Sequence, residues 1–64
     1  MRHTEFWDRL DTAMGRASSR TWAELFVIGE LGSRTAVEAL DAGVPPKQVW
    51  AAVRRALELP ESER

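Results

Sequence analysis

Glycine and proline residues divide the apolar residues of this chain into short segments, and this division limits the fold more than any other feature. Within each segment the apolar residues recur every three or four positions, which is the spacing of one face of an α-helix. Gly15, Gly32 and Gly43 follow three of these segments, and glycine adopts the left-handed backbone that ends many helices. No segment alternates apolar and polar residues as a half-buried strand does. The pattern predicts an all-α protein.

Four helices are predicted from these segments, at about residues 5–14, 22–31, 36–42 and 46–58. Thr4 is the expected cap of the first. Thr21 and Thr35 each precede a glutamate by three residues, which is the capping-box pattern of a helix start. Residues 15–20 are small and polar and are predicted to form a loop. The second helix carries the longest apolar run and is expected to be the central, most buried one.

The segment "TAVEALDAGVPPKQVW", residues 35–50, has the spacing of a helix-turn-helix motif. Ala39 is small where two helices would cross, Gly43 falls at the turn, and Val49 would anchor the second helix. Any tight helical hairpin needs the same features, so the spacing does not separate a DNA-reading motif from two packed helices. The prediction is a compact bundle of three to four short helices with a helix-turn-helix-like hairpin, formed by residues 1–60 and followed by a charged, frayed tail at 61–64.

The chain has 64 residues, and a domain of this size buries only about 60% of its potential surface on folding, so the large apolar residues are expected inside. Trp7, Trp22 and Trp50 lie beside apolar helix faces, which favours the core or its rim over a stacking platform for single-stranded nucleic acid. The predicted inward face of the last helix consists of Val49, Val53, Ala56 and Leu57, with Trp50 at its edge.

The distribution of charge argues against a nucleic-acid partner. The formal net charge is −1, and the middle of the chain is acidic. Pro45 and Pro46 remove two backbone donors at the start of the would-be recognition helix, and Glu38 and Asp41 on the preceding helix would repel a duplex. Binding to nucleic acid usually depends on a basic surface that neutralises phosphates, and none dominates here.

Catalytic and metal-binding residues are scarce. His3 is the only histidine, the chain has no cysteine, and Asp8 and Asp11 share a helix face without an apolar pocket to raise a carboxyl pKa. We therefore expect no enzyme, no metal, no cofactor and no small-molecule substrate. The longest apolar run is far shorter than a membrane span needs, and the absence of cysteine fits the cytoplasm.

The remaining class of function is non-covalent recognition. An aromatic side chain surrounded by arginines is typical of interface hot spots, and a half-covered Trp50 or Trp7 would supply one. We expect a non-catalytic protein-interaction module, with a second copy of the chain among its partners. The predicted surface consists of Lys47, Gln48, Trp50, Arg54 and Arg55. The alternative is a DNA-binding helix-turn-helix protein that uses the same last helix.

The stretches "MRHTEFWDRL", "LGSRTAVEALDAGVPPKQVWAAV" and "LELP" resemble a small actinobacterial family of uncharacterised proteins, the domain of unknown function 3046. The resemblance covers nearly the whole chain and implies an all-helical, cytoplasmic domain without implying an activity. The family pattern has an Asp-His pair in the second helix and a cysteine in the last one. Leu25 and Phe26 take the places of that pair here, and Arg54 takes that of the cysteine, so the chain is similar in fold and lacks the polar pair.

Overall fold

The computed structural model describes residues 1–59 and shows a small, mostly helical bundle, which confirms the predicted fold class. In this part of the chain the helices are α1 (His3–Met14), α2 (Arg16–Leu25), α3 (Ala36–Asp41) and α4 (Pro46–Ala56). Two short strands, β1 (Val27–Ile28) and β2 (Arg34–Thr35), lie between α2 and α3. The tail predicted at residues 61–64 lies outside the described residues.

The core forms where α1 packs against α4. Phe6 and Leu10 of α1 are fully buried, and the Phe6 ring meets the Trp50 ring of α4 edge-on, with centroids 6.1 Å apart. Edge-to-face contact places the positive ring edge against the negative ring face, which adds to the gain from burial. Small residues elsewhere in the core let the short helices approach closely; these are Ala23, Ala36, Ala39 and Ala52.

The predicted position of the second helix is wrong. Residues 16–20, expected to form a loop, are the first half of α2, and the helix ends at Leu25 instead of residue 31. Gly15, at φ +89°, turns the chain between α1 and α2, and the buried Ser19 hydroxyl donates a hydrogen bond to Asp11 of α1. Because this contact fixes the start of α2 against α1, Thr21 lies inside the helix and does not cap it.

The strand pair was not predicted. Val27 pairs with Thr35 and Ile28 with Arg34 in an antiparallel ladder, joined by the 3₁₀ turn Gly29–Leu31 and by Gly32 at φ +76°. β-branched residues such as Val27 and Ile28 favour extended backbone. Strands of two residues are too short to show alternation, so the expectation of a chain without strands was wrong for this segment.

Thr35 caps α3 as predicted. Its Oγ1 accepts a hydrogen bond from the Glu38 backbone N–H at 3.1 Å, and Glu38 Oε1 accepts one from the Thr35 N–H at 2.9 Å. This reciprocal pair satisfies two donors that a helix start leaves without partners. The Thr4 cap is wrong, because α1 begins at His3 and Thr4 lies within its first turn.

The hairpin of α3 and α4 has the predicted geometry. Ala39 is fully buried, Gly43 has φ +93°, and the Val44 N–H donates to the Ala39 carbonyl at 3.0 Å. The inward face of α4 differs from the prediction, because Ala52 is buried and Ala56 is exposed. The chain turns out of α4 through Glu58 at φ +57°, which packs Leu57 and Leu59 against the core in place of Ala56.

Candidate interaction surfaces

The five residues predicted as an interaction surface differ in burial. Lys47 and Gln48 are exposed on α4, and Arg54 is half-buried. Trp50 is only 3% exposed and is not a half-covered anchor, whereas Trp7, the other tryptophan considered for that role, is half-buried. The Trp50 ring lies inward because it completes the core against Phe6. Arg55 is exposed but engaged in an ion pair.

The ion pair joins Arg55 to Glu30 in the 3₁₀ turn. Arg55 Nε donates to both carboxylate oxygens of Glu30, at 2.7 and 3.0 Å, and Nη2 lies 2.5 Å from Oε2. The hydrogen bond from Arg55 is the main reason that the pKa of the Glu30 carboxyl lies below its ordinary value, and the pKa of Arg55 is raised for the reciprocal reason. Arg55 therefore holds the turn to α4.

Large apolar side chains are exposed together where α2 ends and β1 begins. Leu25 is 73% exposed, Phe26 45% and Val27 55%. The Phe26 ring stacks on the half-buried Trp22 ring, with centroids 5.0 Å apart and planes 14° from parallel. We call Trp22, Leu25, Phe26 and Val27 the apolar patch.

An open groove of about 560 Å³ runs along α2 beside the patch. No charged side chain lines it; the lining residues are Met14, Ala17, Ser18, Thr21, Trp22, Leu25 and Phe26. Ala17 and Ser18 come from the first half of α2, Trp22 and Leu25 come from its second half, and Met14 is the last residue of α1. The groove can therefore accept an apolar helix or side chain without burying a charge.

Sequence reasoning found the apolar run that forms the patch but assigned it to the wrong place. A continuous run was taken as the mark of a buried helix, whereas the helix ends at Leu25 and only Ile28 of the run 25–28 turns into the core. The run crosses from α2 into β1, and this change of backbone conformation sets which side chains point inward. Periodicity alone does not locate such a crossing.

A second cleft, of about 520 Å³, lies between the start of α1 and one side of α4. Arg9 and Glu5 of α1 line it together with three of the predicted surface residues, Lys47, Trp50 and Arg54. We call it the basic cleft. Among the described residues, Trp50 Nε1 and Arg54 Nε are buried and have no hydrogen-bond partner. Such donors are costly to leave unpaired.

The other polar residues considered in the sequence analysis either contact a neighbouring side chain or are exposed to solvent. Asp11 accepts from Ser19 and lies 3.9 Å from Arg16, and Arg20 lies over the Trp7 ring at 4.1 Å. His3 is exposed in the first turn of α1. Within residues 1–59, no three histidine or carboxylate side chains gather as ligands for a metal ion, and no helix has the length and apolarity of a membrane span.

Comparison with known proteins gives one match. A family model described as "Protein of unknown function (DUF3046)" matches residues 1–62. No curated protein and no solved structure matches the chain.

Proposed function

This chain belongs to the DUF3046 family, and we propose that it is a protein-interaction module without catalytic activity of its own. The observation that carries the proposal is the apolar patch, where Leu25, Phe26 and Val27 stay exposed next to one another. Its partner surface is the patch and groove of a second copy of the chain.

The patch supports recognition because its exposed large apolar residues are consecutive in sequence, and Leu25 and Phe26 line the same groove. Single exposed apolar residues are common on soluble proteins, but adjacent ones mark binding sites. A chain of 64 residues has few large apolar side chains, and leaving three of them in water forgoes burial that its core would gain. The stacked Trp22 and Phe26 rings add the aromatic character that is enriched at interfaces.

The groove favours a second copy because it is complementary to itself. If α2 of one copy lies antiparallel on α2 of the other, with the two-fold axis near Thr21 and Trp22, Ser18 of each copy faces Leu25 of the other. A small residue then receives a large one on both sides of the axis. No charged side chain lines the groove, so neither copy buries an unpaired charge.

The length of α2 sets the expected strength of association. Ten residues of helix extend over about 15 Å, so the patch and groove form a small interface. Interfaces that bury less than about 1,200 Å² in total belong to weak, transient complexes. The proposal therefore predicts a reversible dimer with a dissociation constant in the micromolar range.

Sedimentation equilibrium over a range of concentrations tests the proposal. The mean mass should rise from the chain mass of 7.2 kDa toward twice that value, and added salt should not weaken the association, because the contact is apolar. Leu25→Asp should stay at the chain mass. The Leu25 side chain is largely exposed, so this variant should keep its helical circular dichroism.

Gln48→Glu is the matched control, since it also adds one negative charge and lies on exposed α4 surface outside the groove. It should associate like the unchanged chain. A mean mass that stays at 7.2 kDa at every concentration would contradict the proposal. Equal effects of Leu25→Asp and Gln48→Glu on the mean mass would contradict it as well.

DNA binding by α4 remains the alternative and has less support. The α4 residues that could contact DNA are Lys47, Gln48 and Arg54; the first two are exposed and Arg54 is half-buried. The hairpin geometry is compatible with either function, and the basic residues that would contact phosphates are few. Titration with duplex DNA separates the two: binding that falls steeply with salt and is lost in Lys47→Ala favours DNA.

A further inference from the structure

We propose that the basic cleft between α1 and α4 is a binding site for a phosphate monoester. It shares no lining residue with the apolar groove, so this inference does not depend on the proposed self-association. Two kinds of observation support it: hydrogen-bond donors that lack acceptors, and an excess of positive charge.

Within residues 1–59, the buried side-chain donors without acceptors are Trp50 Nε1 and Arg54 Nε. Trp50 is only 3% exposed, and Trp50 and Arg54 both line the cleft. Buried donors nearly always have an acceptor in folded proteins. An oxyanion in the cleft would supply the acceptor for both, once the long side chains around them move.

The charge of the cleft matches a dianion. Arg9, Lys47 and Arg54 line it, and within residues 1–59 no carboxylate lies within ion-pair distance of any of the three. Glu5 is the single acidic side chain in the lining. Three cations and one carboxylate leave an excess of two positive charges, and a phosphate monoester carries nearly two negative charges at neutral pH.

The excess of positive charge favours a phosphate dianion over a carboxylate, which carries one negative charge. An arginine guanidinium donates through Nε and Nη in a planar fork that fits phosphate oxygens, and the Trp50 indole N–H is a further donor without an acceptor among residues 1–59. The cleft volume of about 520 Å³ exceeds that of the phosphate group alone and leaves space for the organic part of a monoester.

Titration followed by indole N–H signals in ¹H–¹⁵N NMR tests the site. The chain has three tryptophans, so Trp7→Phe and Trp22→Phe assign the Trp50 signal by elimination without altering the core position. At constant ionic strength, inorganic phosphate should shift the Trp50 signal saturably, with a dissociation constant of about 1 mM or lower. Adenosine monophosphate should bind at least as tightly, and acetate should bind at least tenfold more weakly, because it offers one charge.

The variants separate this site from a general charge effect. Lys47→Gln and Arg54→Lys should each weaken phosphate binding about tenfold, the first by removing a charge and the second by removing Nε while keeping the charge. Arg34→Gln is the control, since Arg34 is exposed on β2 outside the cleft, and it should change the affinity less than twofold.

Three outcomes would overturn the proposal. The first is a Trp50 signal that does not move with phosphate while the chain remains folded. The second is equal weakening by Lys47→Gln and Arg34→Gln. The third is tighter binding of duplex DNA than of phosphate or adenosine monophosphate through the same residues, which would assign the cleft to a phosphodiester backbone instead.

Discussion

At the scale of single residues, Glu30 and Arg55 link the 3₁₀ turn to α4 through a forked hydrogen bond. Both side chains are in contact with solvent, so salt screens their attraction and the pair contributes modestly to stability. The pair fixes the position of the 3₁₀ turn relative to α4, because it joins segments that are 25 residues apart in sequence. The pair also lowers the pKa of the Glu30 carboxyl, which gives its contribution to stability a pH dependence of known sign.

The first prediction concerns that pH dependence. The folded-state pKa of Glu30 lies below the ordinary value of 4.5, so the stability from the pair is present above that value and is lost as the pH falls through the folded-state pKa. In Arg55→Gln, the Glu30 carboxyl pKa measured by NMR should rise toward the ordinary value, and the unfolding free energy should depend less on acid pH. Arg34→Gln should leave the pKa of Glu30 in place. An unchanged Glu30 pKa in Arg55→Gln would show that the pair does not form in solution.

The second prediction compares two threonines that share the capping-box pattern. Thr35 caps α3, whereas Thr21 lies inside α2. Thr35→Ala should lower the free energy of unfolding by about 1 kcal/mol, because the Glu38 N–H loses its acceptor. Thr21→Ala should change it by less than about 0.5 kcal/mol, because alanine suits a helix interior. Urea denaturation measures both, and equal losses would contradict the assigned helix start.

At the scale of the elements, α4 has a buried side that includes Ala52 and an exposed end that includes Ala56. The two alanines are one turn apart on the same side of the helix, so the same substitution at each reports how far along α4 the contact with the core extends. The Ala52 side chain has little free space around it because the helices approach closely there, and the Ala56 side chain faces water.

The third prediction follows from this difference. Ala52→Leu should lower the unfolding free energy by about 2 kcal/mol, since extra methylenes in a packed core force neighbours out of place. Ala56→Leu should change it by less than about 0.5 kcal/mol. Urea denaturation of the two variants checks where along α4 the contact with the core ends. A larger loss in Ala56→Leu would mean that the inward face predicted from sequence is the right one.

Sequence predicted the elements wherever local chemistry alone determines them. The Thr35 cap, the Gly43 turn and the helix that follows Pro45 all depend on neighbouring residues, and each was located correctly. The start of α2 depends instead on Ser19, which is eight residues from its Asp11 partner, and the end depends on pairing with β2. The three-to-four-residue spacing of apolar residues does not predict these contacts between segments.

The same limit applies to the candidate surfaces. The five residues singled out on α4 were chosen from a helical wheel, which shows their spacing but not what packs beside them. Burial of Trp50 follows from the position of Phe6, and the use of Arg55 follows from the position of Glu30. The apolar patch was missed because its exposure depends on where α2 gives way to β1.

At the scale of the whole molecule, the chain divides its apolar residues between a core and a surface. Phe6, Leu10, Val49, Trp50 and Val53 hold the bundle together, while the apolar patch stays outside. We propose that this patch stays uncovered in the single chain and is covered by the groove of a second copy. Stability and association should therefore respond to different substitutions.

The fourth prediction addresses that separation. Leu10→Ala should lower the unfolding free energy by about 3 kcal/mol, because it leaves a cavity in the core. Leu25→Asp should leave the unfolding free energy of the dilute monomer within about 0.5 kcal/mol of the unchanged chain, because the side chain is exposed. Urea denaturation at concentrations below the dissociation constant checks this. A loss in Leu25→Asp as large as that in Leu10→Ala would place Leu25 in the core.

The most direct measurement is an isotope-filtered NOE experiment on an equal mixture of ¹³C-labelled and unlabelled chains, which detects only contacts between copies. The account predicts intermolecular NOEs from the Leu25 methyl groups to the Ser18 protons of the other copy. Intermolecular NOEs confined to other surfaces, or none at concentrations well above micromolar, would contradict it.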